Sequence, residues 1–251
     1  MGILAAPGDS AIYWAGAVGA RVSLLCLPYA GGDGAAFQQW PARLGHRARV
    51  GWAELPGRGS HFRHPPLRRI ADQVQWLVAA VRAVPPPLVL FGYSMGALIA
   101  FEMAHALRVA GAPQPALLLV AAHPAPGRPM RDQPLHTLPD DEFVRRLADF
   151  EGTPEEVLGH AELLALLTPR LRADFEACET YCPPERPPLA LPLVAYGGID
   201  DREVPPSALL HWAPLTRGRF EGVLMSGHHF FLHGAADALL QDIERRLAQV
   251  A

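Results

Sequence analysis

Ser94 stands in Gly92-Tyr93-Ser94-Met95-Gly96, between the apolar run Leu88 to Phe91 and a stretch whose apolar residues recur at helical spacing. A serine hydroxyl is a weak nucleophile. It attacks a carbonyl when a base takes its proton, a second group orients that base, and N–H donors receive the oxyanion. A G-x-S-x-G that follows a strand and opens a helix is the form of a nucleophile elbow, a sharp turn that lifts one serine above a sheet. Gly92 and Gly96 suit such a turn, because backbone packs on backbone where a Cβ would clash. The expected chemistry is acyl transfer through Ser94.

The other participants follow in the order that this turn requires, acid and then histidine. Leu193-Val194-Ala195-Tyr196 runs into Gly197-Gly198-Ile199-Asp200-Asp201-Arg202-Glu203-Val204. Both carboxylates compete for the acid. A G-x-x-D-x-x-V spacing from Gly198 favours Asp201 over Asp200. Ser226-Gly227-His228-His229-Phe230-Phe231-Leu232 comes next, and on residue type alone His228 and His229 are both open as the base. One oxyanion donor is expected from the Met95 amide, at the positive end of its helix. The other is expected from the loop Pro28-Tyr29-Ala30-Gly31-Gly32, where Ala30 is chosen and Tyr29 is the alternative.

These groups need elements to hold them. Val22–Leu27, Ala48–Leu55, 88–91, Ala116–Ala122, Leu189–Tyr196 and Val223–Met225 read as strands. Residues 34–44, 68–83, the stretch after Ser94 and Gly234–Val250 read as helices. That alternation predicts an α/β fold, a mostly parallel sheet wrapped by helices. From about 125 to 188 no strand is expected, and three helices are: Pro139–Phe150, Pro154–Leu167 and Pro169–Cys182. Thr153-Pro154-Glu155-Glu156 has the composition of a helix start. An all-helical insertion between late strands reads as a lid, because a crossover needs only one helix. The 251 residues are then a single domain with that insertion.

Composition removes several classes. The net charge of −3 carries no basic stripe, so no nucleic acid is expected as a partner. No run of about 18 apolar residues predicts a membrane span, and no signal peptide is recognised, so a cytoplasmic location is expected. Cys26, Cys178 and Cys182 make neither a disulfide framework nor a zinc pattern, and are expected as reduced, buried thiols.

With these residues in view, the chain resembles the type II thioesterases of polyketide and nonribosomal peptide biosynthesis, which are free-standing α/β-hydrolases. The resemblance rests on Leu27-Pro28-Tyr29-Ala30-Gly31-Gly32, Leu55-Pro56-Gly57-Arg58-Gly59, Phe91 to Leu98, Phe101-Glu102, Leu107-Arg108, Leu171-Arg172-Ala173-Asp174-Phe175, Trp212 and His229-Phe230-Phe231-Leu232. It implies Ser94 as nucleophile, Asp201 as acid, and His229, the histidine before Phe-Phe-Leu, as base. It implies hydrolysis of acyl groups on the phosphopantetheine arms of acyl or peptidyl carrier proteins, an editing role, with no metal or cofactor. The family usually has His where this chain has Tyr93, whose side chain is expected to point away from the chemistry. The rival enzyme is a carboxylesterase or lipase acting on small esters.

Tyr29 and the lid residues Phe143 and Phe175 are the expected substrate contacts, with Leu147, Leu163, Leu164 and Leu167 as further candidates for an acyl channel. Arg58, Arg63, Arg68 and Arg69 are candidates for a basic docking rim. A monomer is expected.

Overall fold

A computed structural model of the chain describes residues 11–16, 20–128, 130, 133–148 and 160–250. Among them, seven strands form one sheet: β1 (Ile12–Ala15), β2 (Val22–Leu27), β3 (Ala48–Ala53), β4 (Leu88–Tyr93), β5 (Leu117–Ala121), β6 (Leu193–Gly198) and β7 (Phe220–Met225). The spatial order is β1-β3-β2-β4-β5-β6-β7. Only β1 runs antiparallel to its neighbour; every other pairing is parallel. The helices are α1 (Trp40–Leu44), α2 (Ile70–Arg82), α3 (Met95–Val109), α4 (Asp140–Ala148), α5 (Ala161–Glu179), α6 (Phe231–Gly234) and α7 (Ala236–Val250).

The central strands are apolar throughout because helices cover both faces. Successive side chains of β4 alternate between the two cores. Leu88 and Leu90 pack with Leu77 of α2 and Leu98 and Phe101 of α3. Val89, Phe91 and Tyr93 pack on the other side with Trp40 of α1 and Leu239 and Ile243 of α7. The segment between β5 and β6 carries α4 and α5. These bury a small core of their own: Leu135, Leu138, Phe143, Leu147 and Leu171.

Several elements depart from expectation. β1 carried too few residues to stand out. Residues 34–44 are not one helix: a 3-10 turn at Gly34–Phe37 gives way to α1. Pro206–Leu215 forms a long 3-10 segment, and a short helix, α6, precedes the expected terminal helix, which runs unbroken as α7. The expected break before Pro169 does not occur, and α5 runs through it to Glu179. Pro169 leaves the Ala165 carbonyl without its helical donor, but Ala165 and Pro169 are both exposed, so water can serve it. The expected helix start at Thr153 to Glu156 lies outside the described residues. Among the described residues no helix is long and apolar enough to cross a membrane.

Candidate active site

The loops that leave the carboxyl ends of β2, β4, β6 and β7 meet at one edge of the sheet, where ligands of such folds gather. Ser94 is the turn residue between β4 and α3, at φ 50° and ψ −115°. That is unfavourable for a residue with a Cβ, and strain of this kind persists only where surroundings over-determine it. Here the glycines on either side do so. A Cβ on Gly92 would lie 2.1 Å from the Gly96 carbonyl oxygen, and one on Gly96 would lie 2.0 Å from the Leu27 carbonyl oxygen. The Ser94 N–H donates to the Ala121 carbonyl at 2.8 Å, which ties the turn to β5.

His229 is buried, with Nε2 3.4 Å from Ser94 Oγ and Nδ1 2.9 Å from Asp201 Oδ2. An ionised carboxylate only accepts, so the proton between them sits on Nδ1 and Nε2 presents its lone pair to the serine. The 3.4 Å contact is long, as catalytic pairs commonly are before a substrate tightens them. Asp201 is 4% exposed. Its Oδ1 accepts the Glu203 and Val204 N–H groups at 2.8 and 2.9 Å, which fixes the carboxylate plane. The neighbouring candidates lie elsewhere. Asp200 and His228 are both exposed, and the His228 ring faces the Asp200 carbonyl at 3.1 Å.

Tyr93 does not point away from this group. Its hydroxyl donates to the His229 carbonyl at 2.6 Å and accepts the Leu232 N–H at 3.1 Å. Burial pushes the phenol well above its usual range, so it stays a donor. The strand alternation that puts Tyr93 beside Phe91 aims it under the loop that carries His229. That alternation was the available signal.

In the glycine loop, Tyr29 O accepts the Gly32 N–H at 2.9 Å. The Tyr29–Ala30 peptide is trans, so the Ala30 N–H points opposite to that carbonyl. The Gly31 N–H donates to Asp174 Oδ2 at 2.7 Å. Among the described residues neither the Ala30 nor the Met95 amide donates to a protein acceptor. Met95 opens α3, where amides have no helical partner.

A cavity of about 900 Å³ opens beside Ser94 and His229. Tyr29 and Phe175 line it, as do Leu147 and Leu167. Phe143 does not. It is fully buried behind the wall, edge-on to Phe175 at 5.8 Å, with the Arg172 guanidinium 4.3 Å over its ring. Leu163 is exposed and Leu164 half-buried, and both are off the wall. Cys178 is half-buried and Cys182 exposed rather than both buried, and both line the cavity. His123, which sequence reasoning passed over, is a buried wall residue whose Nδ1 donates to the Pro124 carbonyl at 2.7 Å.

The arginine rim is also corrected. Arg58 is 1% exposed and pairs with the fully buried Asp174 at 2.7 Å. Arg68 pairs with Glu176 at 2.6 Å. Arg63 and Arg69 are exposed.

An elbow serine after β4, a carboxylate after β6 and an imidazole after β7 make this a serine hydrolase of the α/β-hydrolase class. Known proteins narrow that class. The family model described as the thioesterase domain matches residues 22–247, and the chain belongs to that family. It is 34% identical over 232 residues to the gramicidin S biosynthesis protein GrsT of Aneurinibacillus migulanus, covering 92% of this chain and 91% of that one. The type II thioesterase BorB from the borrelidin biosynthetic cluster superposes with a TM-score of 0.87 at 36% identity, covering 95% of this chain and 98% of that chain. RedJ, a thioesterase from the prodiginine pathway of Streptomyces coelicolor, gives 0.85 at 36% identity, covering 90% and 86%.

Proposed function

We propose that the protein hydrolyses acyl thioesters on the phosphopantetheine arms of carrier proteins, clearing stalled or aberrant acyl groups in polyketide or nonribosomal peptide synthesis. The observation that carries this reading is the Ser94–His229–Asp201 chain at the mouth of a cavity large enough for an acyl group. The biosynthetic settings of GrsT, BorB and RedJ support the substrate class.

In this mechanism Ser94 Oγ attacks the thioester carbonyl while His229 Nε2 takes its proton. The oxyanion is received by the Ala30 and Met95 amides. The C–S bond breaks, and His229 passes the proton to the departing sulfur. Water then attacks the acyl-serine with His229 again as base, and the free acid leaves as the serine regains its proton. Asp201 holds the imidazole in the productive tautomer throughout.

The segment from about 125 to 188 serves as a lid inserted into one hydrolase domain, with Tyr29 and Phe175 against the acyl chain and Phe143 supporting Phe175 from behind. The protein acts as a cytoplasmic monomer, and the carrier docks by its acidic surface near Arg63 and Arg69.

The test is a panel of carrier proteins loaded with acyl groups of graded length, with simple oxygen esters alongside and Ser94→Ala as control. Hydrolysis of carrier thioesters that vanishes in the variant is expected. Preference for the oxygen esters would sink the proposal.

A further inference from the structure

Asp174 is a fully buried carboxylate on α5 that touches neither Ser94 nor His229. Its two oxygens are spent on different structures. Oδ1 accepts from Arg58 Nη2 at 2.7 Å, and Oδ2 accepts the Gly31 N–H at 2.7 Å. Arg58 in turn donates through Nη1 to the Gly32 carbonyl at 2.9 Å. One helical turn before Asp174, Arg170 Nη2 donates to the Gly31 carbonyl at 2.7 Å. Leu171 fills the space beside Gly31, where a Cβ would lie 2.3 Å from Leu171 Cδ2. Gly31 itself sits at φ +75°, in the left-handed region.

Both polar atoms of Gly31 and the carbonyl of Gly32 are therefore held by side chains of α5 and by Arg58. The Gly32 N–H holds the Tyr29 carbonyl, and the plane of that peptide aims the Ala30 N–H. We infer that Arg58 and Asp174 are positioning residues for the oxyanion hole, and that docking of α5 on the glycine loop sets the direction of the Ala30 amide. The inference rests on the reading of Ala30 as an oxyanion donor. On this account the lid helix does more than roof the cavity: with α5 displaced, Ser94, His229 and Asp201 keep their contacts while one of the two oxyanion donors loses its aim.

Two variants test this. Asp174→Asn is nearly isosteric but cannot accept from both Gly31 and Arg58. The double change Arg58→Met with Asp174→Leu removes both charges at similar volume, a replacement that buried ion pairs commonly tolerate. Each is assayed with an acyl-pantetheine thioester, with a trifluoromethyl ketone of the same acyl chain, and with the unreactive amide analogue. The ketone forms a tetrahedral adduct on Ser94 and needs the hole; the amide reports ground-state binding alone. Losing one oxyanion donor outright costs roughly 100-fold or more in kcat, so misaiming one should cost about 10- to 100-fold. The expected result is that loss in kcat, a parallel loss in ketone affinity, and KM and amide binding within about threefold of wild type. A folded variant with wild-type kcat and ketone affinity would overturn the inference. So would equal losses for ketone and amide, or failure of both variants to fold, each of which marks a purely structural pair. Hydrolysis that survives Ser94→Ala would overturn the thioesterase mechanism and this inference with it, whereas hydrolysis lost in Ser94→Ala but kept at the wild-type rate in the two clamp variants would overturn the inference alone.

Discussion

Asp200 and Asp201 are neighbours in sequence and opposites in environment. Asp201 gives one oxygen to two backbone amides and the other to His229, while Asp200 is exposed. Asp201→Asn is expected to lower kcat by about four orders of magnitude, because an amide favours the wrong imidazole tautomer. Asp200→Asn should stay within about threefold of wild type, and steady-state thioester hydrolysis checks both. Tyr93 adds a second kind of residue, one that acts through the histidine. Tyr93→Phe keeps the buried ring and removes two hydrogen bonds from the loop that carries His229. Stability should fall by about 1–3 kcal/mol, since two buried backbone groups lose their partner. Reduced kcat at unchanged KM, measured on folded protein, is the expected kinetic counterpart.

At the scale of elements, α3 does more than carry Ser94 at its start. Arg108 binds the Pro187 and Pro188 carbonyls at 3.0 and 2.9 Å, and Glu102 pairs with Arg186, so the chain returning from α5 is fastened along this helix. Within that contact, burial together with Arg186 and Arg108 holds the His105 pKa down to about 3. The Arg108 guanidinium donates to His105 Nδ1, so the ring is neutral in the fold. An unfolded histidine takes up a proton below about pH 6.5. This part of the stability is therefore complete above pH 6.5 and is lost as pH falls from 6.5 toward 3, by up to about 1.4 kcal/mol per pH unit. Thermal melts between pH 7 and 4.5 should show His105→Gln with a shallower acid slope than wild type. Arg108 stands one turn along the same helix and could be read locally, but burial and Arg186, which comes from a distant part of the chain, could not.

The same reason explains what was and was not legible. The elbow, the order of acid and base, and the central strands could be read because each is local: an apolar run, a glycine spacing, a turn. His229 could be separated from His228 only by resemblance, since the two differ by which one the fold turns inward. α5 was cut at Pro169 because a helix-breaking residue is a local signal, while the exposure that makes it tolerable is not. Arg58 was read as part of a surface run, although its partner Asp174 lies 116 positions away.

On the scale of the whole molecule, charge gives the proposed carrier partner few places to dock. The net charge is −3, which does not by itself attract an acidic partner. Of the four clustered arginines, Arg58 is buried and Arg68 is paired, which leaves Arg63 and Arg69. Arg63→Ala with Arg69→Ala should raise KM for carrier-bound substrates several-fold, and least at high salt, where screening has already removed the attraction. KM for acyl-pantetheine should not change.

The bond from Gly31 to Asp174 also has a consequence in time. It closes a loop of 143 residues, and the Tyr93–His229 bond closes one of 136. Contacts so distant in sequence form late, after the chain entropy between them has been overcome. As the chain leaves the ribosome, β2 and β4 can pair, and Ser94 can reach its strained turn, before the residues that aim the oxyanion donor or carry the base have been made. Hydrolytic competence therefore comes last, and a chain stalled before residue 174 is inert.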